Sequence, residues 1–541
     1  MQRRQMIKRF AAMVPSFWLT KAYTKNLSIR DQPFGQQTAD APFKPTWDSL
    51  KQYKVPGWFQ DAKFGIWAHW GAQCQPEHGD WYARGMYEEG SDHYNFHIKK
   101  YGHPSKFGFK DVINEWKAEN WDPDALVELY KNAGAKYFVA MANHHDNFDN
   151  FNSSYQPWNS VKYGPKKDLI DGWAKAAKKH GLPFGVSVHA SHAWTWYEPA
   201  QRSDKTGALA GVPYDGKPGL SDGKGKWWDG LDPQELYAQK HALSENGNDI
   251  GRVWGWGEGT NVPDKVYCEK FFNRIVELID KYKPGLVYFD DNVLPLWPVS
   301  DVGLRIAAYL YNTSIKENGT LEAVINGKIL DEEQRKCMVW DIERGASNTI
   351  EPFTWQTDTC IGGWHYDRRI YDNKRYKSAA TVIQILMDVV SKNGNLLLNI
   401  PVRADGTIDE LEMATVKEVG DWMKVNSEAV YATRPWKSFG EGPAIASAAP
   451  LSAQGFNEGK GKPLGAEDFR FTAKGNLLYA TFFAWPESRK VLIKSLTYQK
   501  ISGIQLLGAN ENLQWQQTPE GVAIDLPAKQ PCRNAYVLKI T

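Results

Sequence analysis

Short apolar runs alternate with longer amphipathic stretches along the chain from about residue 47 onward. The run Leu-Val-Tyr-Phe at 286–289 is typical of a parallel strand that is covered on both faces. Comparable runs occupy 64–70, 136–142, 183–190, 322–326, 337–342 and 395–400, and helical stretches at 121–135, 168–180, 264–283, 302–316 and 378–392 lie between many of them. This alternation predicts an α/β fold, a (β/α)8-like, TIM-type barrel with some irregular members. A doubly wound open sheet is the alternative, although no GxGxxG motif follows the first run.

The pattern changes after a last helical stretch at 411–430. Segments near 469–472, 476–485, 490–496, 503–507, 521–526 and 535–540 are short, alternating and separated by turn residues. Such spacing predicts an antiparallel β-sandwich. We therefore expect a leader and linker at 1–40, a catalytic barrel at 41–432 and a sandwich domain at 433–541.

Composition limits the classes of function. The 541 residues carry a net charge of +2, which favours neither a nucleic-acid partner nor an anionic membrane surface. No run of about 18 apolar residues predicts a membrane span. The chain has 24 Trp, 25 Tyr and 23 Phe, an abundance that suits a site where flat apolar faces stack, as in carbohydrate clefts. The five cysteines are scattered without a CxxC pair, so neither a zinc site nor a disulfide framework is indicated.

The N-terminus resembles a twin-arginine export signal. Arg3 and Arg4 precede a short apolar stretch at 10–14. This pattern predicts export, to the periplasm of a bacterial-type cell.

Polar side chains follow the ends of five predicted strands, where catalytic groups of parallel barrels lie. Asp290 and Glu343 come from different strands. A pair of carboxyl groups, one ionised and one protonated, is what glycoside hydrolysis requires. If Asp290 faces the barrel mouth, strand alternation directs Tyr288 there too, and Asp291 then points away or lies in the following loop. The full set is His69-Trp70, His144-His145-Asp146, His189, Asp290-Asp291 and Glu343.

The adjacent histidines His144 and His145 are also possible metal ligands. Neighbouring residues on a strand point to opposite faces, however, and the chain has no HExxH or HxH motif. We therefore predict no metal and no other cofactor. As neutral imidazoles, the two side chains suit hydrogen bonds with sugar hydroxyls.

Several long motifs resemble the α-L-fucosidases of glycoside hydrolase family 29. They are VPGWFQDAKFGIWAHWG at 55–71, GDWYAR at 79–84, NHHD at 143–146, KPGLVYFD at 283–290, SKNGNLLLNIP at 391–401 and DFRFTAKGNLLY at 468–479. The resemblance extends from about residue 47 to the C-terminus. It implies a retaining exo-α-L-fucosidase that releases terminal fucose from oligosaccharides or glycoconjugates through a covalent fucosyl-enzyme.

The resemblance also assigns residues within the active site. Asp290 matches the family nucleophile, while His69, Trp81, His144 and His145 match residues that hold the fucose. Asp80 stands where the family usually has Glu, and Tyr288 replaces the commoner Trp before the nucleophile. Aromatic walls suit the fucose methyl group, and we expect Trp70, Tyr288 and Trp364 to supply them.

The acid/base residue does not align at one position across the family. Many members carry it in a Trp-Glu pair, which here is Trp355-Gln356, and glutamine cannot exchange a proton as a carboxyl does. We therefore favour Glu343, with Glu351 and Asp358 as the other candidates.

Two alternatives to a fucosidase remain at this stage. The loss of the Trp-Glu pair is compatible with a non-catalytic carbohydrate-binding protein on a decayed barrel. An α-L-galactosidase is the nearest competing enzyme, since its substrate adds only a hydroxyl at the methyl position. The long excursion at 201–264 is expected to set linkage specificity.

Overall fold

The computed structural model describes residues 41–247, 249–445, 449–452 and 455–541. The export signal predicted at the N-terminus lies outside them. No helix in this part of the chain has both the length and the apolar character needed to span a bilayer.

Eight parallel strands close into a barrel in chain order, which confirms the predicted barrel and removes the open-sheet alternative. Five strands match predicted runs closely, the fifth and sixth lie one to two residues further along the chain than predicted, and the polar seventh strand was not predicted. The strands are β1 (Phe64–Ala68), β2 (Tyr137–Asn143), β3 (Phe184–Val188), β4 (Leu286–Asn292), β5 (Val324–Lys328), β6 (Val339–Glu343), β7 (Trp355–Cys360) and β8 (Gly394–Asn399).

The predicted helices form with the expected capping residues. Asp122 accepts hydrogen bonds from the first turn of the helix that Pro123 opens. Gly181 ends another helix with φ of 69°, in the left-handed region that glycine favours. The α-helices are α1 (Trp47–Leu50), α2 (Gly57–Ala62), α3 (Tyr82–Gly85), α4 (Asp92–Lys100), α5 (Phe109–Glu115), α6 (Pro123–Asn132), α7 (Leu169–His180), α8 (Ala193–Trp196), α9 (Pro233–Tyr237), α10 (Ile250–Val253), α11 (Lys265–Tyr282), α12 (Val302–Asn318), α13 (Arg368–Asp372), α14 (Ala379–Ser391) and α15 (Glu410–Asn426).

Two connections in the barrel lack the usual crossover α-helix. Residues 329–338 join β5 to β6 with only a short 3-10 turn, and residues 344–354 join β6 to β7 without a helix. These are the irregular members that the sequence pattern indicates. The connection after Glu343 must therefore be held by contacts other than a packed helix.

The inward face of β4 to β7 is polar. Residues two apart on a strand share a face, so Tyr288 and Asp290 point inward together, as do Asp341 and Glu343. Strand pairing then sets Glu343 beside Asp358 on β7. The carboxyl groups of these strands therefore lie together along one side of the barrel interior.

The C-terminal region forms the predicted antiparallel sandwich. A five-stranded sheet has the order β13-β16-β11-β10-β9, and a three-stranded sheet has the order β12-β15-β14. The first and sixth strands below were not predicted from the sequence. The strands are β9 (Arg434–Glu441), β10 (Phe469–Lys474), β11 (Leu477–Phe482), β12 (Lys490–Ile493), β13 (Ile504–Leu506), β14 (Gln514–Thr518), β15 (Gly521–Asp525) and β16 (Tyr536–Ile540).

Buried polar contacts join the sandwich to the barrel. Arg470 on β10 pairs with Asp388 on α14 at 2.6 Å, and Asp388 also pairs with Lys392. The Trp422 indole on α15 donates to the carbonyl of Ala535 at 2.9 Å. The two domains therefore share a specific interface at the outer side of α14 and α15.

A buried ion pair fixes the segment that follows β2. Arg274 on α11 contacts both carboxylate oxygens of Asp149 and donates to the Asn147 side chain at 2.7 Å. Both charged side chains are at most 2 % exposed. This two-pronged geometry holds the loop that begins with His144 and His145.

We expect Arg274→Met to reduce the free energy of unfolding by about 3–5 kcal/mol, because Asp149 is left buried without its cation. Chemical denaturation followed by tryptophan fluorescence measures the change. Arg368→Met, which removes a surface pair with Asp372 and a contact with the Tyr371 ring, is the matched control and should leave the unfolding midpoint nearly unchanged. Equal effects from the two substitutions would contradict this account of the Arg274 pair.

Candidate active site

A cavity of about 420 Å³ opens at the C-terminal ends of the barrel strands. A larger cavity of about 520 Å³ lies beside α14, but its carboxylates, Asp388 and Glu458, are both taken up in ion pairs. The first cavity holds most of the predicted site. It is lined by Trp67, His69, Asp80, Trp81, His144, His189, Ile250, Gly251, Trp254, Gly255, Tyr288, Asp290, Asn292, Lys328, Ile329, Glu343, Asp358, Trp364 and Phe456.

Asp290 is held in its ionised form by three neighbours. Its Oδ2 lies 3.1 Å from His145 Nε2 and 3.0 Å from His189 Nδ1, and its Oδ1 accepts from the Lys328 ammonium at 2.5 Å. Burial opposes ionisation, but Lys328 and the two histidine hydrogen bonds outweigh it and hold the pKa of Asp290 well below its usual range. Asp290 is thus ionised and held in place, the state that a nucleophile requires.

Glu343 has the opposite protonation preference. Burial, opposed by Lys328, raises the pKa of this carboxyl to about 7. The Lys328 ammonium also lies 2.5 Å from Glu343 Oε2. The nearest oxygens of the two carboxyl groups are therefore no more than twice that distance, about 5 Å, apart.

Asp291 lies away from the cavity, as strand alternation predicts. Its Oδ1 accepts from the Ser191 hydroxyl at 2.6 Å and lies 3.0 Å from His192 Nε2. The residue is only 2 % exposed. These contacts join β4 to the segment after β3, so the role of Asp291 is structural.

Polar groups cluster on the side of the cavity formed by β1 and β2. The rings of His69, His144 and His365 have centroids 4.7 to 5.1 Å apart, and Asp80 Oδ1 lies 2.6 Å from His365 Nδ1. Neither ring nitrogen of His69 has a hydrogen-bond partner among the described residues. Burial lowers the pKa of His69 and of His144 well below the usual range, so both are neutral and suited to hydroxyl groups.

The aromatic residues divide between the cavity and the core. Trp81, Tyr288 and Trp364 line the cavity as predicted. The prediction that Trp70 forms a wall is wrong. Its ring packs against Trp116 and other rings outside the barrel, and its indole donates to the carbonyl of Arg403. Trp70 follows the inward-facing His69, so alternation directs it outward.

His145 has a different place from the other histidines. It is fully buried, does not line the cavity, and contacts Asp290 and the carbonyl of His189. Its ring therefore contacts Asp290 and does not lie where it could touch a sugar hydroxyl in the cavity.

The other acid/base candidates are less well placed. Asp358 lines the cavity but accepts from the Tyr288 hydroxyl at 2.7 Å and is 1 % exposed. Glu351 pairs with Arg335, and its backbone N–H donates to the carbonyl of Lys392, which lies just before β8. Gln356 is buried between Tyr137 and Asp341, below the cavity. Its lack of a carboxyl thus removes nothing from the cavity.

Sequence reasoning missed several members of the site. Lys328 ends β5 two residues beyond the predicted strand, and a longer strand with the same alternation would have brought it to the rim beside Asp290. His189 was recognised as a strand end but was given no role. Trp254 comes from the excursion and Phe456 from beyond the barrel, and neither has a local signal.

Within the described part of the chain, two groups of side chains have the geometry to hold a metal ion. His69, Asp80, His144 and His365 form one group, and His144, His145 and His189 form the other, with ligand atoms within 4.8 Å of one another in each group. The first group comes from four separate segments, so no short sequence motif reveals it. The predicted absence of a metal stays a prediction.

The closed barrel and its unequal carboxyl pair define the class of the protein as a glycoside hydrolase. Residues 32–428 match the family model for alpha-L-fucosidase, and residues 464–541 match that for the alpha-L-fucosidase C-terminal domain. The chain belongs to the α-L-fucosidase family.

Individual relatives are similar along nearly their whole length. The tissue alpha-L-fucosidase of Mus musculus is 27% identical over 94% of this chain and 96% of its own. That of Rattus norvegicus is 26% identical over 92% of each. The crystal structure of Thermotoga maritima alpha-fucosidase superposes with a TM-score of 0.66 at 25% identity, covering 92% of this chain and 100% of that one.

Removal of divalent metals with EDTA is expected to leave fucosidase activity unchanged, because His145 and His189 already bind Asp290 and His365 already binds Asp80. Rates before and after dialysis against the chelator, with zinc added back in a parallel sample, measure this. A loss that zinc restores would overturn the prediction and point to a metal at one of the two groups.

Proposed function

We propose that the protein is a retaining exo-α-L-fucosidase acting on terminal α-L-fucosyl residues of oligosaccharides or glycoconjugates. The observation that carries the proposal is the contact of one ammonium, Lys328, with both Asp290 and Glu343 at 2.5 Å. It brings the nearest oxygens of the two carboxyl groups within about 5 Å of each other, which suits the roughly 5–5.5 Å separation in retaining enzymes better than the wider separation in inverting ones.

Asp290 attacks the anomeric carbon of the fucoside while Glu343 donates its proton to the departing glycosidic oxygen. The products of this step are a covalent fucosyl-enzyme and the free alcohol of the leaving group. Glu343, now ionised, takes a proton from water, and the resulting oxygen displaces Asp290 with a second inversion. L-Fucose leaves with its α configuration retained, and both carboxyl groups return to their initial states.

Two parts of the cavity support fucose as the sugar. The neutral His69 and His144 with Asp80 present hydrogen-bonding groups to hydroxyls, and Trp364 and Tyr288 supply apolar walls for a methyl group. The cavity ends on the packed barrel interior. A terminal residue fits this shape better than an internal one, which supports exo action.

Lys328 gives the cycle its electrostatic balance. Before bond cleavage it pairs with the ionised Asp290, and after cleavage, when Asp290 is esterified, the ionised Glu343 is within its reach. The cation therefore has one carboxylate partner at each stage.

We also propose that the arginine pair at 3–4 directs export to the periplasm.

Asp290→Asn is expected to reduce kcat/KM on an aryl α-L-fucoside by roughly a thousand-fold or more, because the amide cannot form the glycosyl ester. The matched control is Asp291→Asn, since that side chain lies outside the cavity and keeps its hydrogen-bonding shape. It should retain activity within about tenfold. A dead Asp291 variant beside an active Asp290 variant would reverse the assignment.

Glu343→Ala should hydrolyse an aryl fucoside slowly and be accelerated by azide, which enters the space left by the carboxyl. The expected product is α-L-fucosyl azide, identified by NMR. A β-linked azide would mean that Glu343, and not Asp290, is the nucleophile.

The pH profile tests the protonation of Glu343 in the intact enzyme. Because the first step needs the protonated acid and its pKa is about 7, kcat/KM on an oligosaccharide should fall as the pH rises through about 7. With α-L-fucosyl fluoride, whose leaving group needs no proton, this fall should be absent. Parallel profiles for the two substrates would exclude Glu343 as the general acid.

A further inference from the structure

Residues 455–458, the return segment, lie between β9 and β10 of the C-terminal region but come back to the mouth of the barrel. The Phe456 N–H donates to the carbonyl of Glu343 at 2.8 Å, and the Glu458 N–H donates to the carbonyl of Arg344 at 2.9 Å. These bonds continue directly from the end of β6. The backbone that carries the acid/base is therefore paired with a segment from outside the barrel.

Side chains of the return segment anchor it firmly. The Asn457 amide accepts from the N–H of Ala346 at 2.9 Å and donates to its carbonyl at 3.0 Å. The Glu458 carboxylate accepts from Thr359 at 2.8 Å and lies 3.3 Å from the Lys377 ammonium. These contacts join the segment to both β7 and the β6–β7 connection.

The segment also approaches the barrel too closely for a side chain at its first position. Gly455 has φ of 88°, and a Cβ added there would lie 2.3 Å from the carbonyl oxygen of Glu343. Phe456 follows with φ of 53°, an uncommon conformation for a bulky residue, which the surrounding bonds must hold in place. Its ring is 41% exposed and lines the catalytic cavity.

The position of Glu343 shows which side of the cavity receives the leaving group. A general acid stands beside the glycosidic oxygen, so the group beyond that oxygen departs on the Glu343 side. The polar cluster of His69, His144 and Asp80 lies on the β1 and β2 side, where it suits the fucose hydroxyls. Phe456, bonded through its own N–H to Glu343, belongs to the leaving-group side.

We propose that Phe456 forms a wall of the subsite for the sugar beyond the cleaved bond, with Ile250 and Trp254 of the excursion also lining this cavity. The occupant is a hexose or N-acetylhexosamine whose apolar C–H face packs on the exposed ring. The C-terminal region thus contributes directly to substrate specificity. This inference rests on the proposed fucosidase activity.

The test compares Phe456→Ala with the wild type on two substrates. One is the α1,2-, α1,3- or α1,4-fucosylated oligosaccharide that the wild type cleaves fastest in a panel, and the other is α-L-fucosyl fluoride, which carries no leaving sugar. We expect kcat/KM on the oligosaccharide to fall by about tenfold or more, as for a lost apolar contact in a pocket, with the fluoride rate within about twofold of wild type. Phe456→Trp, which keeps a flat ring, should restore most of the loss.

The matched control is Phe353→Ala, because Phe353 is a similarly exposed ring, at 46%, just before β7 and outside the catalytic cavity. It should leave both rates unchanged. Equal losses on the two substrates would make Phe456 a purely structural residue and overturn the inference, as would no loss on either. Failure of the wild type to release fucose from every substrate would instead refute the proposed function.

Discussion

The charge states of the active site depend on one buried ammonium, that of Lys328. Four carboxyl groups, those of Asp290, Asp341, Glu343 and Asp358, face the same part of the barrel interior, where an uncompensated charge is costly. One cation stabilises one carboxylate, and Asp290 takes that place because His145 and His189 also bind it. Glu343 shares the cation without those histidines, and burial keeps its proton to about pH 7. The carboxyl groups that we propose as nucleophile and acid are therefore distinguished by their neighbours and not by their residue types.

Buried polar groups without hydrogen-bond partners lower the stability of the barrel, and their place in the active site explains why they occur there. Asp341 Oδ2, Asp358 Oδ1 and both polar atoms of the Asn326 side chain have no hydrogen-bond partner among the described residues. A barrel built for stability alone would fill these inward positions with branched apolar side chains. Residues that suit the fold poorly are expected where a protein performs chemistry. Here they lie on β5, β6 and β7, the strands that carry or adjoin Lys328 and Glu343.

Much of the barrel could be predicted because most of its strands are continuous apolar runs, such as the one that ends at Asp290. The strand β7 was missed for the same reason, since Trp-Gln-Thr-Asp-Thr-Cys has no apolar run although every residue is buried. Alternation correctly separated Asp290 from Asp291 but was not applied to His69 and Trp70, and Trp70 was misplaced. The environment of Glu343 was not predictable, because Lys328 and Phe456 reach it from segments that no local pattern connects to it.

The β6–β7 connection shows how the two domains depend on each other. In most barrel units a helix packed outside the sheet fixes the end of the preceding strand, but none lies between Glu343 and β7. The return segment supplies the missing restraint: it binds the backbone carbonyls of Glu343 and Arg344, while Lys328 holds the Glu343 side chain. Glu343, the acid that we propose, is thus fixed at both its backbone and its carboxyl, and one of those restraints comes from the C-terminal region. The backbone of residues 455–458 therefore helps to position Glu343, although it lies outside the barrel in the chain.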